Sequence, residues 1–109
     1  MAYDERLANR VRSVLGDDSR VSERSMFGGL CFMISGNMCV GVVGDELMVR
    51  VGRDAWDQAL TKPHVREMDF TGKSMRGMVF VDADGISRRA GLVRWVRMGT
   101  DFAGSLNPK

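Results

Sequence analysis

The feature that most limits how this chain can fold is a change of hydrophobic period after residue 20. Over residues 4–15, Leu7, Val11, Val14 and Leu15 recur at helical spacing, which predicts one apolar stripe on a helix opened by acids and closed at Gly16. Residues 21–27, 29–35, 38–43 and 46–51 are instead short β-prone runs, separated by Gly-Gly, Ser-Gly-Asn and Gly-Asp. They predict a meander of antiparallel strands. In the second run Leu30, Phe32 and Ile34 share one face while Cys31 and Met33 share the other. In the fourth, Leu47, Val49 and Val51 oppose Met48 and Arg50. One face of such a sheet is core, and the other is mixed.

Residues 53–60 return to a helical pattern, with Ala55, Trp56, Ala59 and Leu60 on one side and Pro63 beyond the end. Residues 65–70 and 77–82 are strand candidates around the Thr71-Gly72-Lys73 turn, and Asp84-Gly85 closes the second of them. Between residues 86 and 106, Leu92, Trp95, Val96, Gly99, Phe102 and Leu106 recur three and four apart, which predicts a long amphipathic helix. Strands bracketed by helices, without strict alternation, predict an α+β fold: two layers, an antiparallel sheet of about five to six strands, helices packed on one face.

At 109 residues, residues 1–109 are expected to form a single domain, large enough to fold on one core without disulfide or metal staples. Sixteen basic against fourteen acidic side chains leave a formal charge of +2, too little for a general attraction to nucleic acid or anionic membrane. The first fifteen residues mix acids and arginines with apolar residues, unlike a secretory leader, and no apolar run approaches the roughly twenty residues that cross a bilayer. The expected setting is the cytoplasm, with no membrane contact.

Few residues are equipped for chemistry. His64 is the only imidazole and follows Lys62-Pro63 in a loop, so no histidine triad or metal site is expected. Cys31 and Cys39 lack CxxC spacing; a hairpin turning at Ser35-Gly36-Asn37 makes them at most diagonal neighbours, and both are expected as small buried strand residues. Asp82-Ala83-Asp84-Gly85 has its glycine too early for a calcium loop, so it is read as a strand-to-helix turn with Asp84 or Ser87 able to cap the final helix. The glycines match no phosphate-cradle spacing. No catalytic residue, metal or cofactor is expected.

Two features remain. Arg88, Arg89, Arg94 and Arg97 crowd the last helix with no acid between Gly85 and Thr100, a weak candidate nucleic-acid contact that lacks interleaved base readers. Seven of the nine methionines, Met26, Met33, Met38, Met48, Met68, Met75 and Met78, fall in the strand region, where they serve as core filler or line an adaptable binding surface.

The string Met26-Phe27-Gly28-Gly29-Leu30, with Glu23-Arg24 before it and Gly36-Asn37-Met38 and Leu47-Met48-Val49-Arg50-Val51 after it, resembles the signature of the TfoX N-terminal domain family. Met68-Asp69-Phe70-Thr71-Gly72-Lys73, Met75-Arg76-Gly77 and the closing helix with Trp95 and Phe102 extend the likeness over essentially the whole chain. The family is named for bacterial regulators of natural competence, in which this domain precedes a helical C-terminal domain. The resemblance implies a two-layer α+β fold with an antiparallel sheet, similar in arrangement to type III secretion chaperones, and supplies no catalytic residue. Arg50 and Lys73 match basic positions that recur in it. Because the sequence ends at Lys109, directly after the last helix, a stand-alone module is expected.

The expectation is therefore a non-enzymatic bacterial module acting through a protein partner, with transcriptional regulation as one setting. Its candidate contacts are Met26, Phe27, Gly28, Gly29, Met48, Arg50 and Lys73, with Phe27 as a core anchor and Gly28-Gly29 as a tight corner. An alternative is a small-molecule domain whose Met-lined pocket between sheet and helices holds an apolar or anionic ligand, countered by Arg50 or Lys73. Nucleic-acid binding by the Arg88 to Arg97 face is the third reading, and edge strands allow a homodimer.

Overall fold

The computed structural model of the chain describes residues 3–70 and 72–109, except the side chains of Phe70 and Lys73. Thr71 of the expected turn and the Lys73 side chain thus lie outside the described residues. Asp4 opens the first helix, α1 (Glu5–Leu15), because its Oδ1 accepts from the Arg6 and Leu7 amides at 2.8 and 3.3 Å. Four strands follow, β1 (Val21–Met26), β2 (Gly29–Ile34), β3 (Asn37–Val43) and β4 (Glu46–Arg50). Then come α2 (Arg53–Ala59), β5 (Val65–Phe70), β6 (Lys73–Val81), a 3-10 turn over Ala83–Ile86, and α3 (Arg89–Gly104). The sheet has six strands in the order β1-β2-β3-β4-β6-β5, every neighbouring pair antiparallel. This is the α+β sheet that the change of period implies.

Local chemistry sets the corners. The β1–β2 turn has Phe27 and Gly28 at φ 57 and 73, and the β2–β3 turn has Ser35 and Gly36 at φ 50 and 82. Two successive left-handed residues give the turn whose twist matches that of the strands it joins. Gly29 has no room for a Cβ, which would run into the Val42 carbonyl oxygen of β3.

Three expectations are corrected. β6 begins at Lys73 rather than at Gly77. Gly77, at φ 89, is a kink inside the strand, where its carbonyl accepts from both Val51 (2.8 Å) and Gly52 (3.1 Å). The final helix starts only at Arg89, and neither Asp84 nor Ser87 caps it: Asp82 instead closes the 3-10 turn by accepting from the Gly85 amide at 3.1 Å. Finally, the β2–β3 register shifts between Phe32 and Met33, so Cys39 is the extra, bulged residue of β3. The bulge places Cys39 with Val40 in the cluster beneath the helices while Cys31 joins the cluster on the other side, so the two thiols are not diagonal neighbours.

Strand alternation divides the apolar residues into two clusters. The larger gathers Leu30, Phe32, Ile34, Leu47, Val49, Val79 and Val81 from the strands with Leu7 and Val11 of α1, Trp56 of α2, and Leu92, Trp95 and Val96 of α3. Trp56 is fixed there by Nε1 donating to the Met78 carbonyl at 3.0 Å. The second cluster holds Cys31, Met33, Met48, Met68, Met78 and Phe80, with Met26, Phe27, Met38, Val43 and Met75 packed against it, and contains no helical residue. The helices thus cover one face only.

Candidate functional site

All seven strand-region methionines belong to the face without helices. Met48 and Met68 are fully buried at its centre, whereas Met26, Met38 and Met75 are half-exposed. They do not form the expected pocket between sheet and helices. The reason is phase: Met33 alternates with Phe32 and Ile34, and Met48 with Leu47 and Val49, so each points away from the helical layer.

At one end of this face a shallow groove of about 480 Å³ is lined by Met26, Met33, Met38, Met75 and Met78 together with Gly36, Arg24, Arg50, Arg76 and Lys109. Its floor is thioether, its charged side chains are all cationic, and no carboxylate side chain lines it. Arg50 lies half-buried in the wall, with Nη1 3.5 Å from the Met38 carbonyl and its guanidinium 5.3 Å from the centre of the Phe102 ring. Arg76 is exposed and sits 5.3 Å over the Trp56 ring, and Arg24 is exposed on the edge strand β1. These ring contacts hold two guanidinium groups in place without neutralising them. Among the described residues, the ion pairs are Arg12–Glu23, Arg20–Asp18 and Arg66–Glu46, and His64 lies beside Asp82; none of these uses a groove arginine. The segment after α3 closes the groove's end: the Lys109 amide donates to Ser35 at 2.8 Å, and buried Asn37 donates through Nδ2 to the Asn107 carbonyl at 2.9 Å.

The structure gathers Met26 and Arg50 at the groove, places Met48 beneath the same face as a fully buried residue, and puts Phe27 at the adjoining turn. Phe27 is not an anchor of the helix-side core; it packs half-buried against the methionine cluster. A bulky residue held at φ 57 costs about 1–2 kcal/mol. The corner expected at Gly28-Gly29 is instead Phe27-Gly28, and Gly29 is the first residue of β2, paired with Met26. Arg24, Arg76 and Lys109, which sequence reasoning did not single out, complete the lining. Arg24 and Arg76 carried a signal, since Arg24 precedes Met26 by two residues on a strand, which puts both on one face, and Arg76 follows Met75 directly.

The remaining candidates separate. Arg88, Arg89, Arg94 and Arg97 are all exposed on the far side of the molecule's helical layer, with Leu92, Trp95 and Val96 turned into the core. Arg94 lines a second cavity of about 430 Å³ between α2 and α3, floored by Ala59, Trp95 and Met98 and bordered by charges of both signs, Lys62 and Asp84. His64, exposed and at φ 68, has Nδ1 3.2 Å from Asp82 Oδ1, with Asp84 close by. The register Val65↔Val81 already implies that His64 faces Asp82, a signal available from the hairpin. Asp82 is engaged in closing the 3-10 turn, so the trio ties the start of β5 to the end of β6. Burial pushes the Cys31 thiol up to about 11 and the Cys39 thiol up to about 12, which keeps both protonated and unreactive at neutral pH. Among the described residues no helix is long and apolar enough to cross a membrane.

The family model described as the TfoX N-terminal domain matches residues 13–103. No curated protein and no solved structure matches the chain.

Proposed function

From the premise that the chain belongs to the TfoX N-terminal domain family, we propose that it is a non-enzymatic interaction module whose contact surface is the methionine-lined groove. The observation that carries this reading is the collection of all seven strand-region methionines on the one sheet face that no helix covers. Unbranched thioether side chains repack at little cost, which suits a surface that must accept another molecule's side chains. Small-molecule sites enclose most of their ligand, and this groove is too shallow and open to do so. The buried, protonated thiols and the lone imidazole engaged with Asp82 give little support to covalent or acid-base chemistry. The proposed partner is a protein, in the bacterial cytoplasm, with transcriptional regulation as one setting.

Site-resolved crosslinking in the expressing bacterium tests this. A photoreactive amino acid at Met38 should give a discrete protein crosslink that is lost with Arg50→Glu, while the same group at Asn9 on α1 gives none. Equal crosslinking from both positions, or none from Met38, contradicts the proposal.

A further inference from the structure

We propose that the occupant of the groove is an acidic amphipathic helix of a partner protein, a reading that rests on the groove being the contact surface. Sign comes first. Arg24, Arg50 and Arg76 stand around the thioether floor with no carboxylate side chain in the lining to answer them, on a chain whose overall charge is nearly balanced. An apolar partner segment carrying acids satisfies both parts of the surface, whereas a basic one meets like charge.

Size and shape favour a helix. The lining runs from β1 across β2, β3 and β4 to β6, four strand intervals, or at most about 19 Å along the sheet at roughly 4.8 Å each. About twelve residues of α-helix cover that length at 1.5 Å per residue, enough to present apolar side chains at i, i+4 and i+7 to the methionines and acids beside them to the arginines. Strand addition is less suited, because apart from Arg24 and Met26 of the edge strand β1 the strand residues of the lining belong to inner strands and present the sheet's face, and β1 itself carries the charges Glu23 and Arg24.

A second copy of this chain does not supply such a helix. The solvent sides of α1 and α3 carry Arg6 against Glu5, with Arg12 already paired to Glu23, and Arg89, Arg94 and Arg97 against Asp101, so neither helix offers the run of acids that the groove calls for. α2 carries Asp54 and Asp57 but spans only seven residues, and its Trp56 and Ala59 are already spent on the core.

The test uses three fluorescent peptides of one apolar pattern, with leucines at i, i+4, i+7 and i+11, differing only in whether the flanking positions are Glu, Gln or Lys. Anisotropy titrations with the full chain should show the Glu peptide binding about tenfold or more tightly than the Gln peptide, as expected for several partly solvated charge pairs, and the Lys peptide not binding. Added salt should weaken the Glu peptide. Arg24→Glu with Arg50→Glu and Arg76→Glu should reverse the order, and Arg24→Glu alone, at an exposed position with no core contact, keeps the test open should the triple variant fail to fold. Equal binding of Glu and Gln peptides, or preference for the Lys peptide, overturns the acidic helix but leaves the docking groove standing. Binding of none of them, together with a specific Met38 crosslink, overturns it likewise. If Met38 gives no crosslink either, both readings fall. A groove-mediated homodimer in sedimentation also overturns it.

Discussion

The two faces of the sheet are both apolar, yet they are made of different materials. Beneath the helices the strands contribute Leu30, Phe32, Ile34, Leu47, Val49, Val79 and Val81, branched or aromatic side chains with few rotamers, all buried. On the opposite face the same strands contribute methionines, Cys31 and Phe80. The first set specifies a single packing. The second can repack without losing much area, because a thioether chain has three rotatable bonds and a polarizable end. The contrast teaches that two apolar faces of different stiffness are set on one sheet by which phase of the alternation a residue occupies, and the proposed function assigns recognition to the softer one.

The largest effect that can break this division is at Phe32, only 1% exposed under the helices. Phe32→Ala should cost about 3–5 kcal/mol in urea denaturation. A loss below about 1 kcal/mol would show that the helix side does not carry the stability. Next comes Gly99, where α3 approaches β3 so closely that a Cβ would lie 2.7 Å from a Val40 methyl and 2.9 Å from the Cys39 carbonyl. Gly99→Ala gains helix propensity yet should lose about 1–3 kcal/mol through overpacking; a stabilised variant would mean that α3 is seated more loosely.

On the methionine face the expected effect on stability is smaller and the effect on binding greater. Met38→Leu with Met75→Leu should change unfolding free energy by less than about 1.5 kcal/mol, since volume is kept, while the partner contact weakens several-fold as the surface stiffens. Unchanged crosslinking from the groove in that variant would sever recognition from thioether plasticity. Phe27→Asn should leave stability within about 1 kcal/mol, because relief of the left-handed strain offsets the lost contact with the cluster.

The thiols sharpen the comparison last. Cys31 and Cys39 lie on opposite faces, and burial raises both, to about 11 and about 12 from the usual 9.0. The folded chain therefore holds protons that the unfolded chain gives up. Stability should be unaffected below pH 9 and fall as pH rises from 9 through these values, since the unfolded state binds fewer protons there. Replacing both residues by Ala should flatten the alkaline limb of a pH-dependent melting series, and an unaltered limb would refute the assignment.

Much of this was legible from period alone. The split of Phe32 from Met33, and of Val49 from Met48, follows from alternation, and so does the meander of the first four strands. Alternation could not say which face the helices would leave bare; that depends on the long-range seating of α1, α2 and α3. Nor could it see the bulge at Cys39, which lies where α3 passes closely over β3 at Gly99. Gly77 misled because a glycine inside a strand and a glycine before one look alike in sequence; only its carbonyl, shared by Val51 and Gly52, distinguishes them. The groove's positive lining was half visible. Arg50 stood out by sharing a face with Met48, but Arg76 is brought to it by the sheet order that inserts β6 beside β4, and Arg24 by the pairing of β1 with β2.

Methyl spectra of the chain labelled at its methionine methyl carbons would test the central claim most directly, because the methionines report on both sides of the sheet. On titration with the acidic amphipathic peptide, the account predicts that the groove methionines Met26, Met33, Met38, Met75 and Met78 shift together while Met98, in the helical layer, stays fixed. Movement of Met98 with the groove methionines silent would place recognition on the helical side and contradict the account.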